Sequence, residues 1–544
     1  MKLAIVDLSH GDIRISKVNE KDERELIGGK GIATKLLMGI PAKIDPFSPE
    51  NAIIFAVGPV NSYRMSGASR MTAVFKSPLT NGYGESQCGG FAPHEMALSD
   101  VTLLMITGTS EKPVYLVVEN GDVEIKPADF LWGLDAFETE SMLRKDEGGE
   151  VLAIGQAGEN LVRFACITHR KGRQFGRAGG GAVLGSKKVK AVVFKGNGKS
   201  DESSEFEEFL REKVISKLSA LQKYGTPNIM WIVNKSKSLP SYYWERSEFD
   251  IESIDGERML KYFVKRNSCF GCRVACGRIS KAGDVEVEGP EFETLYSFGS
   301  LLGNADLESI IKANNLADRY GIDTISAGNV IGFAIVLSKS GKLKEKIKFG
   351  DGDKYVELIR KIAFREGIGD LLAEGVMRLE KMTGAEGVHV NGLEPPAYDP
   401  RGIFGMALAY STSPRGACHM RSCAYRPNLA GKLDRFSAEG QASLVKELED
   451  FYAVVDSLVY CRFLALPDIG MGWEDVARLI EIATGRKYSL DQLRKIGERI
   501  HRMAWEFNRR EGIGYGKLPA KFFNYGLRIE DWEKMIDEYM KLRE

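Results

Sequence analysis

Short apolar runs bounded by turn residues fill the first third of the chain. Leu3-Ala-Ile-Val-Asp-Leu8, Ala52-Ile-Ile-Phe-Ala-Val57, Val114-Tyr-Leu-Val-Val118 and Val189-Lys-Ala-Val-Val-Phe194 each have the length and β-branched content of a strand. Helical spacing is sparse there, Gly31–Met38 being the main case, so residues 1–200 are expected to form a β-rich domain. The small polar stretch Gly196 to Ser204 reads as a linker. Beyond it the apolar period lengthens to three and four. Leu307, Ile310, Ile311, Asn314, Ala317 and Tyr320 follow Asp306, a candidate N-cap, and Gly321 supplies a stop. The paired prolines of Asn391-Gly-Leu-Glu-Pro-Pro-Ala397 forbid regular helix and mark a second boundary. Ser437–Tyr460 and Trp473–Glu506 again have amphipathic helical spacing. The expected architecture is α+β: residues 1–200 β-rich, then two mainly helical domains at 201–395 and 396–544.

A chain of 544 residues, 43% hydrophobic and 28% charged, has the balance of a globular protein. Seventy-five basic and 75 acidic residues cancel, so overall charge supports neither a nucleic acid nor an acidic membrane as partner. Neither a secretory signal nor a membrane-spanning apolar run is present, and a cytoplasmic location is the expectation. In that compartment thiols stay reduced, and grouped cysteines point to metal ligation or catalysis.

Two features then carry chemistry. Cys269-Phe-Gly-Cys272-Arg-Val-Ala-Cys276 places three thiolates close enough for three corners of an iron–sulfur cubane, or for three ligands of a zinc ion. The fourth ligand would come from Cys88, Cys166, Cys418, Cys423 or Cys461, and spacing alone does not choose among them. The second feature is glycine: 59 residues, with dense groups at Gly28–Gly31, Gly82–Gly90 and Gly176–Gly185, the last followed by Lys187 and Lys188. Such loops let backbone N–H groups approach an anion, and Arg177 with the lysines adds charge. Three of them in one domain suggest a large ligand with several anionic groups.

These motifs resemble the aldehyde ferredoxin oxidoreductase family. The likeness runs through Ile27-Gly-Gly-Lys-Gly31, Ser69-Arg70, Lys76-Ser-Pro-Leu-Thr80, the 176–188 stretch and the cysteine motif. It continues in Gly289-Pro-Glu-Phe-Glu293, Tyr398-Asp-Pro-Arg-Gly402, Arg415-Gly-Ala-Cys-His419 and Phe507-Asn-Arg-Arg-Glu-Gly512. The resemblance implies a saddle-like first domain holding a tungsten or molybdenum bis-pterin, with Mg2+ bridging the pterin phosphates, closed over by the two helical domains. It implies a [4Fe-4S] cluster on Cys269, Cys272, Cys276 and Cys461, and cofactor contacts from Arg70, Gln87, Arg177, Ala178, Asp318, Asp323, Asp456 and Cys461. Two motifs of the form D-x-x-G-L-[CD] stand here as Asp318–Asp323 and Asp456–Cys461, and their carboxylates can accept hydrogen bonds from a pterin ring.

By the same resemblance Glu293 and His419 are the catalytic candidates, with Glu291 an alternative to Glu293. The implied reaction oxidises an aldehyde to a carboxylic acid with water as oxygen source and passes electrons to ferredoxin or a ferredoxin-like small subunit. The alternatives are another substrate on the same cofactor, a non-catalytic iron–sulfur subunit, and a zinc-stabilised protein. The chain departs from the family pattern at Gln87, in place of asparagine, at Val459, in place of glycine, and at Arg273, where proline is common. The E-x-x-H pair that carries a subunit-bridging metal in some members is absent before Asp318, which leaves an oligomer open.

Overall fold

The computed structural model describes residues 1–523 and 526–544. Twelve strands precede Gly196 and form two six-stranded sheets. The first comprises β1 (Lys2–Asp7), β2 (Asp12–Lys17), β3 (Ile53–Ala56), β4 (Arg70–Lys76), β5 (Tyr83–Gly89) and β6 (Leu103–Thr107), in the order β2-β1-β6-β3-β4-β5. The second comprises β7 (Val114–Glu119), β8 (Asp122–Pro127), β9 (Glu150–Ala153), β10 (Ile167–His169), β11 (Arg173–Phe175) and β12 (Val189–Lys195), in the order β11-β10-β9-β12-β7-β8. Both mix parallel and antiparallel pairs. Phe55, Met71, Phe75 and Leu104 of one sheet share a buried cluster with Leu116, Val118, Val192 and Phe194 of the other, so one core holds the sheets together.

The helical content of this first part exceeds the expectation. Besides Gly29–Leu37, helices form at Glu20–Leu26, Ala92–Leu98, Ala136–Asp146, Gln156–Glu159 and Gly180–Ser186. Most are seven residues or fewer, too short for a clear 3.6-residue pattern.

After residue 204 helices dominate. The helix Leu307–Tyr320 starts where Asp306 accepts from the Glu308 amide and stops at Gly321, whose φ of +72° lies in the left-handed region. The stretch expected at Ser437–Tyr460 is the helix Gln441–Leu458, and Trp473–Glu506 divides at Gly485 into Trp473–Thr484 and Leu490–Arg510. One departure is a three-stranded antiparallel sheet inside the helical part: β13 (Phe263–Asn267), β14 (Gly277–Ala282) and β15 (Val285–Glu288). The cysteine motif is the loop from β13 to β14, whose pairing closes its two ends. The segment around Pro395-Pro396 is irregular, as its prolines require, but it is buried and does not form an exposed linker. Pro395 O accepts from Tyr296 Oη and Asn329 Nδ2, each at 3.2 Å. No described helix is long and apolar enough to cross a membrane.

Candidate functional site

Three distant parts of the chain meet at the end of β4 and β5. The cysteine loop hangs on the first sheet through Phe270 N donating to Gly90 O at 3.0 Å and Arg273 N donating to Ser66 Oγ at 3.0 Å. Cys461 N, just past the helix Gln441–Leu458, donates to Gly67 O at 3.0 Å. Gly89 admits the loop, since a Cβ there would stand 2.8 Å from Cys269 Sγ. Cys269, Cys272, Cys276 and Cys461 therefore line one cavity of about 530 Å³. Burial, with the neighbouring Cys269 and Cys461 thiols, holds Cys272 up at about 12, so metal binding here must displace protons. Among the described residues no three His, Cys, Asp or Glu side chains converge as on a single metal ion. Four thiols spread around a cavity wall suit a cluster of several metal atoms better than one tetrahedral zinc.

The same cavity is lined by Arg70, Gln87, Arg177, Asp318, Asp323, Glu291, Glu293 and His419. Arg70 and Gln87 lie on the adjacent strands β4 and β5. Arg177 donates from Nη2 to Glu394 O at 2.7 Å and lies 2.9 Å from Asp323 through Nε. Asp323 is also the N-cap of the helix Thr324–Lys339, accepting from Ile325 N and Ser326 Oγ. Asp318, in the last turn of its helix, accepts from Gln174 at 3.0 Å and Asn314 at 2.7 Å; burial pushes its carboxyl well up.

Two expected cofactor contacts lie off the cavity wall. Ala178 is buried at φ +70°, and its carbonyl accepts from Ser77 Oγ at 2.8 Å. Asp456 sits in a buried charge cluster, 3.0 Å from Arg421, 2.5 Å from Arg462 and 3.7 Å from Lys30. Glu85 completes that cluster. Burial alone would raise its carboxyl, but the Arg421, Lys30 and Arg415 cations overcome it and hold the group low. Arg173, half-buried beside Glu288 at 2.6 Å and close to Cys269 and Cys276, and the trio Arg415, Arg421 and Arg462 carried no separate signal in the sequence. Each stands at or within a few residues of a motif position, and only folding shows that Arg415, Arg421 and Arg462 are buried and Arg173 half-buried.

The glycine groups divide in two. Gly89 and Gly176 face the cavity with Arg173 and Arg177. Gly179, Gly181 and Gly185 instead close-pack the first domain: a Cβ on them would meet Arg163 O, Cys166 O and Gly158 O at 2.2, 2.1 and 1.9 Å. Lys187 donates to Pro49 O and Gly108 O and Lys188 to Glu111 O, so neither lysine serves the expected anion loop.

Glu293 and His419 face each other across 3.5 Å between Oε1 and Nε2. Glu293 stands in the first turn of the helix Phe292–Phe298 and accepts from Ala397 N at 3.0 Å. Burial pushes its carboxyl up to about 8. Burial, followed by the Arg415 and Arg177 cations, pushes His419 well below the ordinary imidazole value. Both groups are therefore neutral near pH 7. Glu291 is directed elsewhere: it accepts from Thr226 Oγ1 and lies on the Cys276 side. Cys418, adjacent to His419, is fully buried off the cavity wall and accepts from Arg415 at 2.9 and 3.1 Å. Burial would raise its thiol, yet Arg415 and Arg421 bring it down to about 7.

Buried polar atoms without a partner concentrate here: Arg70 Nε, Gln87 Nε2, Arg177 Nη1, Glu293 Oε1, His419 Nδ1, Arg421 Nε, Asp456 Oδ1, and Arg462 Nε and Nη1. Folded proteins rarely leave such groups unmet. Many of these are arginine donors, which suit a large ligand bearing anionic oxygen or sulfur acceptors. The residues present thus fit a bulky anionic cofactor beside a thiolate-held cluster.

Comparison with known proteins agrees with that chemistry. Residues 3–196 match the family domain described as aldehyde ferredoxin oxidoreductase, N-terminal domain, and residues 203–544 match domains 2 and 3 of the same family. The chain is 36% identical to the tungsten-containing aldehyde ferredoxin oxidoreductase of Pyrococcus horikoshii, over 100% of this chain and 95% of that protein. It is 29% identical to the aliphatic sulfonate oxidoreductase, WOR-like subunit, of Pyrococcus furiosus, over 92% of this chain and 84% of that protein. Among solved structures, the active site complex BamBC of benzoyl coenzyme A reductase with 1,5-dienoyl-CoA aligns at a TM-score of 0.85 with 23% identity, over 100% of this chain and 94% of the other, which is a likeness of fold.

Proposed function

Since this chain belongs to the aldehyde ferredoxin oxidoreductase family and is an oxidoreductase, we propose that it oxidises an aldehyde to a carboxylic acid and hands the electrons to a ferredoxin. The balanced step is aldehyde plus water to carboxylate, three protons and two electrons. The observation that carries this reading is the neutral Glu293–His419 pair, 3.5 Å apart in a cavity that also holds four cysteines. A tungsten bis-pterin bound there would supply the two-electron redox chemistry, and a [4Fe-4S] cluster on Cys269, Cys272, Cys276 and Cys461 the one-electron exit.

The chain's own groups bind and move protons. Arg70, Arg177 and Gln87 would present donors to the cofactor's anionic atoms, and Asp318 and Asp323 would accept from its ring N–H groups, as would Asp456 if the cofactor reaches past the cavity wall to its charge cluster. Protonated Glu293 donates to the aldehyde oxygen, and neutral His419 takes a proton from the attacking water. Tyr398 and Tyr425, stacked with centroids 4.0 Å apart beside His419, shield this corner from bulk water.

The test is metal analysis and aldehyde-dependent viologen reduction on anaerobically purified protein. The expected values are one tungsten and four irons per chain. His419→Ala should keep both metals and lose about 10²-fold or more in turnover; wild-type turnover in that variant would overturn the assignment. The relative named as an aliphatic sulfonate oxidoreductase supports aliphatic sulfonates as a second substrate class on the same site, to be tried in the same assay.

A further inference from the structure

A chain with no net charge can still present a strongly charged face to its electron partner. From Arg258 to Ala282, the stretch that contains three of the four cysteines, there are seven lysines and arginines and no aspartate or glutamate. β13 is an edge strand, and its Phe263, Val264, Lys265 and Arg266 are all exposed. Exposed large apolar residues on an edge are unusual unless something covers them. Among the described residues Lys265, Arg266 and Lys281 form no ion pair; Arg273, inside the cysteine loop, pairs with Glu207 at 3.1 Å yet is 64% exposed. The strand ends two residues before Cys269, so this face is the outer wall of the cysteine loop.

We propose that the edge of β13 together with the cysteine loop is the docking surface for an acidic iron–sulfur electron carrier. Phe263 and Val264 supply the apolar centre, and Lys265, Arg266, Arg273 and Lys281 the cationic rim. Charge complementarity selects the partner: a small acidic protein is steered to this patch and held with its own cluster against the cysteine loop. Two carrier molecules accept one electron each for every aldehyde oxidised. This inference rests on the ferredoxin reading above, and its test separates the two.

The experiment compares the holoenzyme with its Lys265→Glu/Arg266→Glu variant, using a purified acidic [4Fe-4S] ferredoxin as probe. Dissociation constants are measured without substrate across a salt series, and KM for ferredoxin and turnover with methyl viologen are measured separately. The variant should keep its tungsten, iron and viologen turnover while Kd and KM for ferredoxin rise about 10-fold at low salt and the salt dependence flattens. The milder Lys265→Gln/Arg266→Gln variant should show a smaller rise in the same direction. Lys344→Glu/Lys346→Glu serves as control, because those exposed lysines follow the far end of the helix Thr324–Lys339, about 20 Å from the cavity. An unchanged ferredoxin Kd in the β13 variants, or an equal rise in the control, overturns the docking surface and leaves its cations as guards of an open edge. Because Kd is read without substrate, a failure of aldehyde oxidation would count against the proposed reaction and leave the docking result standing by itself.

Discussion

Glu293 and His419 owe their proposed roles to burial more than to each other. A carboxyl pushed up to about 8 by desolvation still carries its proton at neutral pH, and an imidazole lowered by burial and nearby arginines is free to accept one. The sign of the pH dependence follows. The donor form of Glu293 is present below its raised pKa and is lost as pH climbs through about 8, so kcat/KM for aldehyde oxidation should fall on the alkaline side with a midpoint near 8. Glu293→Gln keeps a hydrogen-bond donor but cannot release a proton. It should cost about 10²- to 10⁴-fold in rate and abolish that alkaline limb. A variant whose pH–rate profile keeps the limb would assign it to another group. Glu291, two residues earlier, lies on the cysteine side of the cavity, and Glu291→Gln is expected to leave the limb in place.

At the level of elements, the two aspartate motifs turn out to be one device used twice. Asp318 and Asp456 each lie in the last turn of a long buried helix, and three residues later Gly321 at φ +72° and Val459 at φ +53° turn the chain through the left-handed region. Glycine does this without strain; a β-branched valine does so at a cost of about 1–2 kcal/mol. Packing against the first domain offsets that cost, because Val459 Cγ2 occupies the space a Cβ on Gly29 would need, at 2.2 Å. The joint between the helix Gln441–Leu458 and the first domain is equally tight at Gly58, where a Cβ would meet Leu458 O at 2.1 Å. Backbone on both sides leaves no room to yield. Gly58→Ala should therefore destabilise the protein by about 1–3 kcal/mol and lower its tungsten content by displacing Asp456. Calorimetry and metal analysis check the two effects together, and an unchanged Tm would show that the joint is looser than these distances imply.

Across the whole molecule, the cavity and the charge cluster behind it draw in arginines from the first domain, Arg70, Arg173 and Arg177, and from the C-terminal helical part, Arg415, Arg421 and Arg462. Left without acceptors, those groups oppose the closure that brings the parts together. A cofactor that binds only the folded chain supplies the missing acceptors and stabilises by mass action, about 4 kcal/mol at a thousand times its dissociation constant. Holoenzyme depleted of tungsten and iron under anaerobic conditions should melt at a lower temperature than the loaded protein, with reconstitution restoring the difference. Equal Tm values for the two forms would mean that the domains close independently of the cofactor.

Local pattern was enough for much of this. The strands of the first domain, the helix Leu307–Tyr320 with its Asp306 cap and Gly321 stop, and three cysteines at cluster spacing are all legible because their causes lie within a few residues: alternation, capping and loop geometry. The resemblance of ordered motifs extended that to the cofactor. What the chain alone left undecided depends on contacts between residues hundreds of positions apart. Only folding brings Cys461 to the cysteine loop, turns Glu293 and not Glu291 toward His419, and buries Arg415, Arg421 and Arg462 around the site. It also gives Gly179, Gly181 and Gly185 to backbone packing, Lys187 and Lys188 to carbonyls outside the cavity, and the Pro395-Pro396 segment to the interior. Short-range chemistry is written in neighbouring residues, whereas desolvation and charge pairing are properties of a location in space, and tertiary packing alone assigns those locations.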